Sequence, residues 1–394
     1  MRRMRPCGNV AHTGFLYQPY SRSLKLPTRH RLSDLQLHKI IDASWSDLLT
    51  EAQDIPAICA ERPEQTTEIM PLNAWYGHDQ IVKAYANWPP GRPLRILLPH
   101  AVEYSGLPTM SRRRAAVPVV AYYADSTARL HLNLDAHYVW PLAHPFVHLL
   151  ALRDLSSAPP RKGTLFFPSH SYISSCGTDW VIRTSDTAAL LARLSALPKE
   201  MKPVTVCSYW LDILLKRHEP YIAAGLRVVS AGHRADPLFL ARLLALCATH
   251  QFAASNEIGS HTFYAVKAGC RYVHIEATGD LTEVSKPRST PDLDIVARRA
   301  AQFITDLNED GGAKQLQVAD HMLGTHHLLP PRELAAMFRR AERLDRIGIV
   351  RISSGGHHRW IITGPWGMVR FVYRCWERLI ARMGLQTRHA MAER

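Results

Sequence analysis

Between Gly225 and Ala277 the apolar positions fall into short runs separated by longer helical periodicities, in the order strand, loop, helix, strand, loop, helix, strand. Leu226 to Ser230 is a β-rich run that stops at Ala231-Gly232. Asp236 and Pro237 suit a helix start. Leu238, Leu240, Leu243, Leu244 and Cys247 then recur at the spacing of one apolar helix face. Phe252 to Ala254 reads as a brief buried strand, Ser255 to Ser260 as a polar turn opening a helix that ends at Gly269, and Tyr272 to Ile275 as the next strand. This alternation predicts a parallel sheet with crossover helices.

The same pattern begins earlier, near Thr67. Gly77 to Trp88 is an amphipathic helix by spacing, and Leu94 to Leu98 a buried strand emptying into Pro99-His100-Ala101-Val102-Glu103-Tyr104. Pro118 to Tyr123 is a second strand, followed by a helix cap at Ala124-Asp125-Ser126; a third apolar stretch runs from His144-Pro145-Phe146 to Leu152. Ser156 to Gly163 is rich in breakers and reads as a linker. After it Thr164 to Phe167 and Val204 to Tyr209 are strands, with a helix over Asp186 to Leu197. The expected fold class is therefore α/β, two Rossmann-like domains facing a cleft. Residues 66–157 form the first domain and 163–280 the second. Residues 1–65 are expected to be a basic, partly disordered extension whose 36–65 part is helical and loosely packed. Beyond Ala277 the sheet pattern stops, and 281–394 reads as a helical extension. It comprises a helix from Thr290 to Asn308, a short helix near Val318, a Pro-capped helix to Leu344 and a basic amphipathic helix from Trp360 to Met383.

Composition adds a charge signature. The 394 residues carry a formal net charge of +14, with a pI near 9.6, which favours an anionic partner: nucleic acid, anionic lipid or a phosphorylated small molecule. The seven cysteines form no CxxC pair, as expected of reduced thiols in a cytoplasmic protein. Residues 1–35 hold Arg2, Arg3, Arg5, Arg22, Lys25, Arg29 and Arg31 and no acid before Asp34. No run of signal-peptide or membrane-span length follows, so a disordered basic tail or an upstream-extended start is expected there. Positive charge is spread over the two ends of the chain without a nucleic-acid-binding motif, so no nucleic acid is expected as partner.

Ligands of open parallel sheets bind beyond the carboxyl ends of the strands, where loops run into helix N-termini. The loops Gly232-His233-Arg234-Ala235-Asp236 and Ser255-Asn256-Glu257-Ile258-Gly259-Ser260-His261 occupy that position. The second offers hydroxyls and a glycine at a helix start, suited to a phosphate or diphosphate; Ser255 and Asn256 equally suit plain caps. The Pro99-His100 step, His144-Pro145-Phe146, Gly163-Thr164-Leu165-Phe166-Phe167-Pro168-Ser169-His170-Ser171 and Ser255 to Ser260 together resemble the GT-B class of glycosyltransferases and their relatives. These include the CDP-glycerol-type polymerases, bacterial surface-polysaccharide transferases and UDP-sugar 2-epimerases. The likeness spans about residues 75–280. Where related transferases carry His-Gly after the first strand this chain has His100-Ala101, and the acid-Ser-Gly-Gly pattern of the epimerases is absent.

The resemblance implies a nucleotide-sugar donor as substrate, no cofactor, and a glycan or lipid-linked acceptor in bacterial surface polysaccharide synthesis. Sugar transfer needs a base near the acceptor hydroxyl and cationic or hydrogen-bonding groups around the leaving phosphate. His100, with Glu103 and Asp125 as carboxylates, is the candidate catalytic set. Ser169, His170, Ser171, His233, Arg234, Ser255, Asn256, Gly259, Ser260 and His261 are the candidate donor and phosphate ligands. Asp212, Arg217, His218 and Tyr221 are read as a solvated helix face. His144 and His148 have HxxxH spacing without HExxH, and no metal is expected. The helix over 360–383 suits peripheral contact with an anionic membrane or docking on the core. A non-sugar transferase on the same scaffold, moving a glycerophosphoryl or pyruvyl unit, and a nucleic-acid-binding protein are the alternatives.

Overall fold

A computed structural model describes residues 39–60, 66–102, 117–124, 139–173, 180–181, 183–184, 186–276, 282–283, 312–347, 349–354 and 357–362. Glu103, Asp125, the expected helix from Thr290 to Asn308 and the chain after Ile362 lie outside the described residues.

Two short helices come first, α1 (Trp45–Glu51), capped by the Ser44 hydroxyl, and α2 (Ile55–Cys59). A tight turn over Pro71–Gly77 leads into α3 (His78–Tyr85). Strands β1 (Ile96–Leu97), β2 (Val119–Tyr122) and β3 (Val139–Pro141) then form a parallel sheet in that order, followed by α4 (Pro145–Leu152). The outer edge of β1 is closed by one side chain. Asn73 donates to the Ile96 carbonyl at 2.8 Å and accepts from the Leu98 amide at 2.8 Å, standing in for a neighbouring strand. Beneath it Lys83 sits 2.5 Å from Glu68 and 3.1 Å from Asp79, all three buried.

The second series is β4 (Thr164–Phe167), α5 (Thr187–Ser195), β5 (Val204–Cys207), α6 (Trp210–Leu214), α7 (Glu219–Ala223), β6 (Arg227–Val229), α8 (Phe239–Ala248), β7 (Phe252–Ser255), α9 (Ser260–Lys267) and β8 (Arg271–His274). Its strands make one parallel sheet in the order β8-β7-β4-β5-β6. Every residue of β4, β5 and β7 is buried, which is why these segments read as continuous apolar runs. The chain lays β4, β5 and β6 outward in one direction, then returns to lay β7 and β8 on the other side of β4. That reversal defines the doubly wound topology and its switch point, between β4 and β7.

Local boundaries differ from expectation in one informative place. The Asp236 carboxylate accepts from the Leu238 amide in a turn of its own, so α8 starts at Phe239. Residues Leu240 to Ala248 are all buried, where the pattern predicted a single apolar face. The cover is α1: Trp45, Leu48 and Ala52 pass into the same hydrophobic core as Leu240, Leu243 and Leu244. One face of the stretch read as loosely packed is thus core, because its partner lies far along the chain. Even Arg242 on α8 is only 1% exposed, its guanidinium placed 2.7 Å from Asp236 and 3.1 Å from Glu51.

The main core is continuous between the two sheets, joining Ile81 of α3 and Phe146 of α4 to Leu165 of β4 and Tyr264 of α9. Beyond β8, α10 (Ala313–Met322) packs on α9, and α11 (Pro331–Ile347) buries Leu334, Phe338 and Ala341 with Val119 and Leu142 of the first half. An antiparallel hairpin of β9 (Ile349–Ser354) and β10 (His357–Ile362) follows. It corrects two expectations. The C-terminal extension is not purely helical, and Trp360, Ile361 and Ile362 pair as a strand instead of opening an amphipathic helix. Such a β-branched and aromatic run carries too few residues for periodicity to separate strand from helix. Thr282–Glu283 likewise pairs with Arg183–Thr184, so strand structure does not stop at Ala277. Among the described residues no helix is long and apolar enough to cross a membrane.

Candidate functional site

The loops leaving β4 and β7 meet at the switch point. Asn256 joins them: its carbonyl oxygen accepts from the Ser169 amide at 2.8 Å and its NH2 donates to Ser169 Oγ at 3.1 Å. Ser255 is fully buried, donating to the Glu257 carbonyl at 2.7 Å and pairing with the Tyr272 hydroxyl at 2.7 Å. Its hydroxyl therefore shapes the loop. The Ser171 amide and hydroxyl are bound by the Asp212 carboxylate at 3.1 and 2.8 Å. Asp212 and Tyr221, read as part of a solvated face, are buried; α6 and α7 fold back under the sheet edge, and Arg217 reaches Asp212 at 3.2 Å. Burial raises the Asp212 pKa, and the hydrogen bonds from Ser171 oppose that rise. His170 Nδ1 donates to the Ser171 carbonyl at 3.0 Å, leaving Nε2 as the acceptor nitrogen in the neutral ring.

Helix α9 starts immediately beyond β7. Gly259 leads into it with little room to spare, since a Cβ there would stand 2.8 Å from the His261 ring. His261 lies on Phe167, ring centroids 4.8 Å apart. Burial depresses its pKa to about 3, and its Nε2 has no partner. Ser260 Oγ accepts from the Val102 amide at 2.9 Å. This bond carries the loop after β1 onto the N-terminus of α9, so the carboxyl ends of both sheets converge on one place.

The opposite wall is built by residues 75–78, His100 and the loop after β6. That loop is held by the N-terminal helices: Ser230 N donates to the Ala52 carbonyl at 3.0 Å and His233 N to Ile58 at 2.8 Å. His233 is buried, accepts from the Ala235 amide at 3.1 Å and packs on Trp210, so its ring is committed to the loop. Arg234 stands over Trp75 at 4.5 Å and near Trp210 at 5.8 Å, with its carbonyl accepting from Tyr76 N at 2.6 Å. Gly77 makes this approach feasible. Its φ is +76°, and a Cβ would lie 2.1 Å from the Pro237 carbonyl oxygen. His100 packs edge-on to Trp75 at 5.1 Å; burial first and then Arg234 lower its pKa to about 4.

Of the predicted site residues, the structure brings the candidate base His100 and the candidate ligands Ser169, His170, Arg234, Asn256, Gly259, Ser260 and His261 to this junction. It commits Ser171, His233 and Ser255 to internal hydrogen bonds. His144 is also spent inside the fold, accepting from Phe146 N at 3.0 Å and pairing with Tyr264 at 3.0 Å, while His148 bonds the His144 carbonyl through Nδ1 at 3.2 Å and keeps a buried, unpaired Nε2. Among the described residues no group of three His, Cys, Asp or Glu is placed to hold a metal ion. Trp75, Tyr76, His78 and Tyr209 escaped the sequence reading. An aromatic pair before a glycine was the available signal, but it reads as ordinary core until the loop of Arg234 is seen against it.

No family model, curated protein or solved structure matches the chain. The junction therefore has to be interpreted from its own chemistry. It offers an anion a helix N-terminus and a guanidinium, and offers a hydroxyl the neutral imidazole of His100.

Proposed function

We propose that the chain is a glycosyltransferase of the two-domain GT-B kind, moving a sugar from a nucleotide-sugar donor to a glycan or lipid-linked acceptor of a surface polysaccharide. The observation that supports this reading is the convergence at Ser260. The switch point between β4 and β7 abuts the strand-end loop carrying His100. On this reading the nucleotide diphosphate rests at Ser169, Asn256 and the first turn of α9, with Arg234 as the cation. The acceptor lies on the side of the first sheet. Its oxygen forms a bond to the anomeric carbon, and the bond from that carbon to the diphosphate oxygen breaks. The electron pair leaves with the nucleotide, and the acceptor proton passes to His100. Burial keeps the His100 ring neutral and able to accept; the α9 terminus and Arg234 stabilise the departing charge.

Thermal stabilisation of the purified protein by UDP, GDP, CDP, CMP and dTDP, with and without magnesium, tests the reading. Saturation at about 100 times the dissociation constant adds about 2.7 kcal/mol to the native state. One nucleotide is expected to raise the midpoint, and Asn256→Ala to reduce the rise. A flat response across the panel sinks the proposal.

A further inference from the structure

His78 is the most anomalous polar side chain at the junction. It is 0% exposed, and neither ring nitrogen has a hydrogen-bond partner. Two neighbours share the condition: Trp75 Nε1 and His100 Nδ1 are also buried and unpaired. The three belong together, since Trp75 packs on His100 at 5.1 Å and His78 follows Trp75 by three residues at the start of α3. His78 is walled on its other sides by Tyr76 at 5.8 Å and His144 at 5.0 Å. His144 cannot relieve it, because its two nitrogens are taken by Phe146 N and the Tyr264 hydroxyl. Buried polar atoms are almost always paired, so four unpaired nitrogens on adjoining side chains point to a group that completes them.

The chemistry of that group follows from the protonation states. Burial holds His78 and His100 neutral, at about 3 and about 4. A neutral imidazole presents one donor and one acceptor, and an indole one donor. A carboxylate or phosphate only accepts, and would leave the acceptor nitrogen of His78 without a donor. An ammonium group only donates and would meet the repulsion of Arg234, which stands over Trp75. Hydroxyls both donate and accept, and two on adjacent carbons match the mixed array.

We propose that Trp75, His78 and His100 form a subsite for the vicinal hydroxyls of a neutral sugar. This rests on the transferase reading in making that sugar the acceptor, and it specifies the acceptor class: an uncharged ring at this subsite, not a uronic acid or a phosphosugar.

The test uses the full chain and two readouts. Side-chain 15N spectra of the histidines are followed while methyl glycosides of glucose, galactose, mannose and N-acetylglucosamine are added, alongside methyl glucuronide and glucose 6-phosphate. At least one neutral glycoside is expected to shift the ring signals of His78 and His100 and to bind about tenfold more tightly than its charged counterpart. His78→Phe keeps an aromatic ring, slightly larger than imidazole, and removes both unpaired nitrogens. It is expected to raise the melting temperature of the ligand-free protein while weakening that glycoside about tenfold. The inference is overturned by silence of both rings to every neutral glycoside, or by charged sugars binding as well as neutral ones. The nucleotide melts separate this outcome from the other. Glycoside binding without any nucleotide response removes the transferase and leaves the subsite; nucleotide response without glycoside binding removes the subsite alone.

Discussion

The two walls of the junction solve the same problem in opposite ways. On the side of the five-stranded sheet the loop hydroxyls and amides have protein partners, Asn256 with Ser169, Ser171 with Asp212 and Ser255 with Tyr272, while the ring nitrogens His261 Nε2 and Trp210 Nε1 do not. On the side of the three-stranded sheet, Trp75, His78 and His100 keep buried nitrogens unpaired. The first wall is a preorganised cradle whose geometry is set by its own hydrogen bonds, as suits binding the constant part of a ligand. The second is complete only with a guest. The walls differ in where the unpaired ring nitrogens gather: four of them lie on Trp75, His78 and His100.

Acid gives the largest expected effect and the sharpest break between the walls. His78, His100 and His148 lie on the side of the three-stranded sheet with pKa values of about 3, 4 and 4, and His261 on the side of the five-stranded sheet at about 3. Each is lowered from an unfolded value near 6.5, so the unfolded chain binds more protons below that pH. The stability these rings confer is full above about pH 6.5 and is lost as pH falls toward 4. The loss is about 1.4 kcal/mol per pH unit for each ring. Denaturant melts at pH 7, 6 and 5 should show a steep decline, and hydrogen exchange at pH 5 should open β1 to β3 before β4 to β8. Simultaneous opening of both sheets would erase the contrast. Any activity dependent on His100 as base should persist below pH 6, with its acidic limb near 4.

The next effect tests whether the first half is merely badly paired throughout. Lys83, buried against Glu68 and Asp79, should cost about 3–5 kcal/mol when replaced by Met, because two carboxylates lose their cation. A near-neutral Lys83→Met in urea melts would mean that polar pairing is loose across the whole half, not only around His78. On the saturated side, Asp212→Ala leaves the Ser171 amide and hydroxyl without their acceptor. About 1–3 kcal/mol of stability should go, together with part of the nucleotide response. The smallest change is Ser260→Ala, which strips the Val102 amide of its acceptor across the junction. A loss of about 1 kcal/mol is expected in thermal melts, and a larger one would make that single bond the main tie between the walls.

Several features were legible from local pattern. The alternation from Gly225 to Ala277 reappears as β6, α8, β7, α9 and β8, because strand and helix periodicities need only neighbouring residues to be read. The loops at Ser169 and Ser255 to His261 could be placed at strand ends for the same reason. Trp360 to Ile362 failed the same procedure, since three apolar residues fit either period. Residues 45–52 were misjudged because their burial depends on Leu240 to Leu244, and Asp212 because its partner Ser171 lies in another loop.

The sequence by itself determined the α/β class, the strand-end positions of the polar loops and the basic charge, all of which follow from composition and short-range spacing. Tertiary structure alone decided the strand order that creates a switch point between β4 and β7, the meeting of Val102 with Ser260, and the enclosure of His78. Strand order and enclosure are set by contacts between segments distant in the chain. A histidine has the same spacing in a sequence whether its nitrogens face water, a neighbour or a space shaped for a hydroxyl.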